Sequence, residues 1–242
     1  MNDVILSAYH GGLGDSLQFT TLPEEFYKQQ KRETYIWDKA KFRNPEIYEL
    51  LWKCNPYIKG IKSGDWNAGD IPEIQYSNIA GNNISNWENL HGLKIKNKYP
   101  KIYYEPVKHS DVGDIFLVDF TCISIDYNVE QLKSTFYKIK NKFSDKKFVS
   151  ISFQKVINSE KLNVYDFDFD GYIEIENIFR YCDLISSVYG LVALSSGASH
   201  LSSALKKYHP NLVSICIIEK MWYNYHVDRG LFLFDNIEYL IY

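Results

Sequence analysis

The sequence has no cysteines at metal-ligand or redox spacing. Its four, Cys54, Cys122, Cys182 and Cys216, stand far apart and form no CxxC pair. That argues against a zinc site or a redox motif, and reduced thiols in a cytoplasmic protein are the simpler reading. No apolar run approaches the ~20 residues needed to span a bilayer. No basic, apolar leader precedes the first strand pattern, which fits the same cytoplasmic expectation. A peripheral contact at the inner face of a membrane would leave no mark on these features. Strong charge is missing as well: the net charge is −3, so no general affinity for nucleic acid is implied. Internal repeats and low-complexity tracts are absent too.

What is present is an ordinary globular composition with one excess. Of the 242 residues, 45% are hydrophobic and 24% charged, enough for one large domain or two small ones. Aromatic residues make up 16%, with 20 Tyr. Tyrosines stack on sugar and base rings, but they also fill cores and edge strands.

Along the chain, short apolar strands alternate with helical patterns. Residues 4–8 read as a buried parallel strand, and a helix follows from Asp15 or Ser16. Pro23 should kink or restart that helix. Strands are expected over 33–37 and 58–61, with a helix opened by Asn44-Pro45 between them. Residues 63–89 read as a long irregular surface region, with a helix starting at Trp87. Residues 108–111 are the best linker. After them come a strand at 115–118, a helix over 129–143 and a strand over 148–153. A helix over 175–181, a short apolar segment at 191–194, a helix over 199–207 and a strand over 212–218 complete the pattern. Two parallel-sheet α/β units follow from this, 1–109 and 110–242. In such folds ligands bind beyond the C-terminal ends of the strands.

Two motifs carry chemistry. The first is His10-Gly11-Gly12-Leu13-Gly14-Asp15-Ser16, where a strand passes into a helix. Such a turn gathers backbone N–H groups at one point. It is not the dinucleotide fingerprint, which needs G-x-G-x-x-G, nor a phosphate-binding loop ending in Gly-Lys-Ser/Thr. Asp15 reads either as the helix N-cap or as a reactive carboxylate at the mouth of the turn. The second motif is Ser195-Ser196-Gly197-Ala198-Ser199-His200, after the apolar segment. Small residues and hydroxyls at a helix start offer N–H and O–H donors without bulk, which suits a phosphate. The same residues also suit a capped, closely packed helix with a core histidine.

Together the motifs resemble the heptosyltransferase-type glycosyltransferases, the ADP-heptose:lipopolysaccharide group of family nine. In that family a Gly-x-Leu-Gly-Asp turn is followed by a Thr-x-Pro-like segment; here stand Gly12-Leu13-Gly14-Asp15 and Thr20-Thr21-Leu22-Pro23. Its C-terminal domain carries Asp-Ser/Thr-Gly-x-x-His-Leu-Ala-x-Ala-Leu; here the run is Ser195-Ser196-Gly197-Ala198-Ser199-His200-Leu201-Ser202-Ser203-Ala204-Leu205. Residues 178–185 are similar to the family's preceding helix. Order and spacing agree at the ends of the chain and poorly in the middle.

The resemblance implies a GT-B fold, two facing Rossmann-like domains with parallel sheets, the first for acceptor and the second for nucleotide-sugar. It implies inverting transfer from a nucleotide diphosphate sugar to a glycan or glycolipid-type acceptor, with no metal and no bound cofactor. Asp15 would be the general base. Ser196, Gly197, Ser199 and His200 would contact the donor phosphates, and Gly11, Gly12 and Gly14 would let the acceptor approach closely. Trp66 and Trp87 offer acceptor stacking, or packing under a long loop. Ser195 stands where the family has an acidic residue that contacts the donor sugar. The loop 119–124 lacks the family's common lysine, leaving Thr121 and Ser124 as hydroxyl substitutes. Asp166, Asp168 and Asp170 support a rival reading, the Asp-x-Asp metal site of GT-A transferases; period two would otherwise make them a solvated strand face. Two further alternatives are a non-catalytic nucleotide- or glycan-binding relic and a transferase acting on modified DNA. The net charge of −3 does not suggest the latter.

Overall fold

The computed structural model describes residues 3–8, 11–69, 82–121, 127–153, 167–231 and 233–242. The chain divides into two compact units, Met1–Tyr104 with Tyr225–Phe234, and Glu105–Asn224 with Asp235–Tyr242. Each is built on a wholly parallel sheet with helices between strands, the α/β architecture that the alternating pattern predicts.

In the first unit the sheet order is β3-β2-β1-β4, formed by β1 (Val4–Ser7), β2 (Thr34–Trp37), β3 (Ile58–Lys62) and β4 (Ala68–Gly69). β1 is buried throughout and pairs with β2 through Val4↔Thr34 and Leu6↔Ile36, and with β4 through Leu6↔Ala68. Helix α1 (Leu13–Leu17) stops short of Pro23. Helix α2 (Leu22–Gln30) restarts with that proline in its first turn, where no N–H is required. The Asn44 side chain accepts from the Glu46 N–H and caps α3 (Pro45–Tyr48), which runs on as a π-helical turn over Glu49–Lys53. The expected irregular region contains β4 and α4 (Asn83–Leu90), so that helix starts at Asn83, capped by Asn82, rather than at Trp87. An extended strap after α4 is clamped by buried acids. Glu88 accepts from the Lys96 and Asn97 N–H groups at 2.7 and 3.1 Å. Burial alone would raise Glu24, yet Lys101, Lys28 and Tyr103 together hold it down to about 2.

The second unit holds β5 (Ile115–Asp119), β6 (Lys147–Phe153), β7 (Gly171–Ile175), β8 (Gly190–Leu194), β9 (Val213–Ile218) and β10 (Glu238–Ile241). Their order is β10-β9-β8-β5-β6-β7. Counted from β5 this reads 3-2-1-4-5-6, the order of dinucleotide-binding sheets, which reverses direction between β5 and β8. Helix α5 (Val129–Lys142) lays Leu132, Phe136 and Ile139 on the sheet, where Phe116 stacks on Phe148 at 4.9 Å and 6°. Helices α6 (Ile178–Ile185), α7 (Gly197–Leu205) and α8 (Lys220–Arg229) complete the described elements.

Two further sequence expectations change here. The helix expected over 175–181 is the end of β7 followed by α6, because the Asn177 side chain caps the Arg180 N–H and sets the start after itself. Asp168 and Asp170 lie before β7, not on a strand, while Phe167 and Phe169 do turn into the core. Asp166 lies outside the described residues. Helix α8 has no counterpart in the sequence reading. No helix among the described residues is long and apolar enough to cross a membrane.

Candidate functional site

In the first unit, β1 delivers the chain to the glycine turn. Gly11 is buried with φ +62, and a Cβ there would fall 2.1 Å from the Lys41 carbonyl oxygen. The Arg43 N–H donates to the Gly11 carbonyl at 3.0 Å. The space where a Gly11 side chain would lie is thus filled by this chain's own 41–43 segment. Gly12, also buried, is the N-cap of α1 in extended geometry, and no side chain caps the helix. A Cβ at Gly12 would lie 2.6 Å from Asp15 Oδ2 and 3.6 Å from Arg43 Nη1. Gly14 is half-buried inside α1.

Asp15 is therefore not the N-cap. It sits in the first turn of α1, half-buried, and no hydrogen bond or ion pair among the described residues occupies its carboxylate. Arg43 is the residue that sequence reasoning missed. It reaches the turn because the loops after β1 and β2 leave neighbouring parallel strands at the same edge.

The two tryptophans differ. Trp66 is half-buried with its ring 4.3 Å from that of Trp37. Trp87 is 1% exposed, packs on Phe19 at 4.9 Å and donates through Nε1 to Gln18 Oε1 at 2.7 Å. It has no open face for a ligand, so its assignment to acceptor stacking is corrected to core packing.

In the second unit, the reversal of strand order brings the ends of β5 and β8 together, with Asp119 paired opposite Ala193. Ser195, Ser196 and Gly197 are half-buried at the entrance of α7. Ser196 is its N-cap, and its Oγ accepts from the Ala198 N–H at 3.3 Å, leaving its own proton to give. Ser199 and His200 are buried at 4% and 6% exposure. Ser199 Oγ donates to the Ser196 carbonyl at 2.8 Å, so its proton is committed within the turn. Ser196 and Gly197 are thus more exposed than Ser199 and His200.

Across from them, Asp119 Oδ1 accepts from the Thr121 N–H at 2.9 Å and from the Thr121 hydroxyl. Tyr181 donates to Asp119 Oδ2 at 2.6 Å. Burial pushes the Asp119 carboxyl up, against the pull of the Thr121 and Tyr181 hydrogen bonds. Burial, and then the Asp119 charge, push the Tyr181 hydroxyl well up. Thr121, expected as a hydroxyl substitute for the family's lysine, has both its N–H and its hydroxyl proton engaged by Asp119. Asp168 and Asp170 meet Lys140 Nζ at 3.3 and 3.4 Å, and Asp170 Oδ2 also accepts from the Phe148 N–H at 2.7 Å. These bonds fasten the start of β7 to α5 and β6. Among the described residues no group of three metal-ligating side chains occurs.

No family model matches the chain, and no curated protein matches it in sequence. Solved structures do match in fold. The family 9 glycosyltransferase from Veillonella parvula aligns with 99% of this chain and 85% of its own, at 8% identity and a TM-score of 0.63. The Escherichia coli heptosyltransferase WaaC, solved with ADP, aligns over 99% and 93%, at 9% identity and 0.57. The dodecameric iron-containing glycosyltransferase TibC of enterotoxigenic E. coli aligns over 89% of this chain, at 13% identity and 0.58. The alignment spans only 57% of TibC's length. In fold, this chain is similar to the heptosyltransferase-type glycosyltransferases of family nine.

Proposed function

We propose that the chain is a nucleotide-sugar-dependent glycosyltransferase acting on a glycan or glycolipid-type acceptor with inversion. The observation that carries this reading is the six-stranded order of the second unit, with Ser196 and Gly197 at its reversal point. There the Gly197 N–H, the Ser196 hydroxyl and the helix dipole suit a diphosphate. The likeness to heptosyltransferase structures, one of them TibC in complex with ADP-D-β-D-heptose, supports the same donor class.

In the first unit Asp15 is the base. Its carboxylate removes the acceptor hydroxyl proton as that oxygen bonds to the anomeric carbon. The bond from that carbon to the diphosphate oxygen breaks, and the electron pair leaves on the diphosphate. Donors at the α7 entrance stabilise the developing charge. The reading assigns no metal and no bound cofactor, and it places the enzyme in the cytoplasm. The test compares wild type with Asp15→Asn for release of nucleoside diphosphate from sugar nucleotides in the presence of glycan acceptors. Turnover in Asp15→Asn should fall about 100- to 10,000-fold with nucleotide affinity retained. Near-normal turnover in that variant contradicts the mechanism, and binding without turnover in wild type supports the relic reading instead.

A further inference from the structure

Asp119 is the one Asp, Glu, Lys, Arg or His buried on any strand among the described residues. Its neighbours at the same edge of the sheet, the last residues of β6, β7, β8 and β9, are Phe153, Ile175, Leu194 and Ile218. A strand end that only packs could be apolar, as these four are. Asp119 instead takes three hydrogen bonds: two from Thr121, which turn the chain at once, and one from Tyr181 of α6. Tyr181 is in turn fixed by the edge of the Phe153 ring, 5.1 Å away at 87°. One carboxylate therefore locks together the exits of β5 and β6 and the body of α6. It does so on the strand that pairs with β8, just ahead of the α7 entrance.

We infer that Asp119 and Tyr181 are positioning residues for the nucleotide site, holding Thr121 and the exit of β5 in the shape that receives the donor diphosphate beside Ser196 and Gly197. This rests on the donor-site reading above. Burial of both side chains keeps water from replacing their mutual bond. The carboxylate does not itself contact phosphate, which its charge would repel. Its effect passes through the turn it fixes at the exit of β5, where it keeps the Thr121 N–H and hydroxyl proton for itself.

The test measures calorimetric affinity for ADP, GDP, UDP and CDP at a temperature well below unfolding, alongside the unfolding midpoint, for wild type, Tyr181→Phe, Asp119→Asn and Asp119→Leu. A role confined to stability lowers the midpoint and leaves affinity in the folded protein unchanged. Positioning predicts that folded Tyr181→Phe and Asp119→Leu bind the preferred nucleotide about tenfold more weakly. It also predicts that Asp119→Asn, which keeps an oxygen for Thr121, stays within about threefold. Should Asp119→Leu not fold, Tyr181→Phe decides. Wild-type affinity in the folded variants overturns the inference and leaves the donor site standing. Absence of binding by wild type to any of the four nucleotides removes the donor-site reading and this inference with it.

Discussion

Asp15 and Gly12 share a division of labour at the turn of the first unit. Gly12 caps α1 without a side chain, so the space a Cβ would occupy is left to the Asp15 carboxylate, 2.6 Å away. The sequence raised two roles for Asp15, cap or reagent, and the geometry removes the first. His91 has a different single-residue role. Its Nε2 lies 3.0 Å from the Gly69 N–H and must accept from it, so Nδ1 carries the proton toward the Trp87 carbonyl at 2.7 Å. This arrangement needs a neutral ring, and burial pushes its pKa below 6.5. His226 is pushed down to about 4 by burial. Both histidines bind a proton more readily in the unfolded chain, so stability is full above pH 6.5 and falls as pH drops below it. The slope reaches about 1.4 kcal/mol per pH unit for each ring that stays neutral. Denaturant unfolding at pH 7.5 and 5.5 should show this loss, and His91→Asn should reduce it. A pH-independent midpoint across that interval contradicts the assigned tautomer.

Among elements, β8 shows how closely the second sheet is packed. A Cβ at Gly190 would lie 2.2 and 2.5 Å from two Phe116 ring carbons and 2.7 Å from the Val213 carbonyl oxygen. Gly190→Ala must displace a ring already stacked on Phe148, and it should cost about 1–3 kcal/mol of stability. Equilibrium unfolding of the variant measures this, and an unchanged midpoint contradicts it. The elements legible in the sequence were those with a strong period or a cap. The 129–143 helix carries Leu132, Phe136 and Ile139 on one face, residues 212–218 are rich in β-branched side chains, and Pro23 marks the restart of α2. β7 was hidden because it is an edge strand with Tyr172 and Glu174 exposed, so no apolar run announces it. Helix α8 was hidden because Met221, Trp222, Tyr223, Tyr225 and Val227 fall on no single face. Of the site, the two helix entrances were legible because glycine and serine at a helix start have a local signature. Arg43 beside Gly12, and Tyr181 on Asp119 at a separation of 62 residues, come together only through strand order.

At the scale of the whole molecule, each unit carries one half of the proposed chemistry, the base in the first and the diphosphate cradle in the second. The first sheet has four described strands, and β1 leads directly to the glycine turn that carries Asp15. The second has the full six-stranded order, and its reversal point coincides with α7. A ligand bound only by the folded chain raises its stability by about 2.7 kcal/mol at a hundredfold excess over Kd. For a chain of this length that corresponds to a rise of roughly 5–10 °C in the unfolding midpoint. The most direct measurement is thermal unfolding of the protein with ADP, GDP, UDP and CDP in turn. At least one of them should raise the midpoint by several degrees. Four unchanged midpoints at millimolar nucleotide would contradict the proposed function.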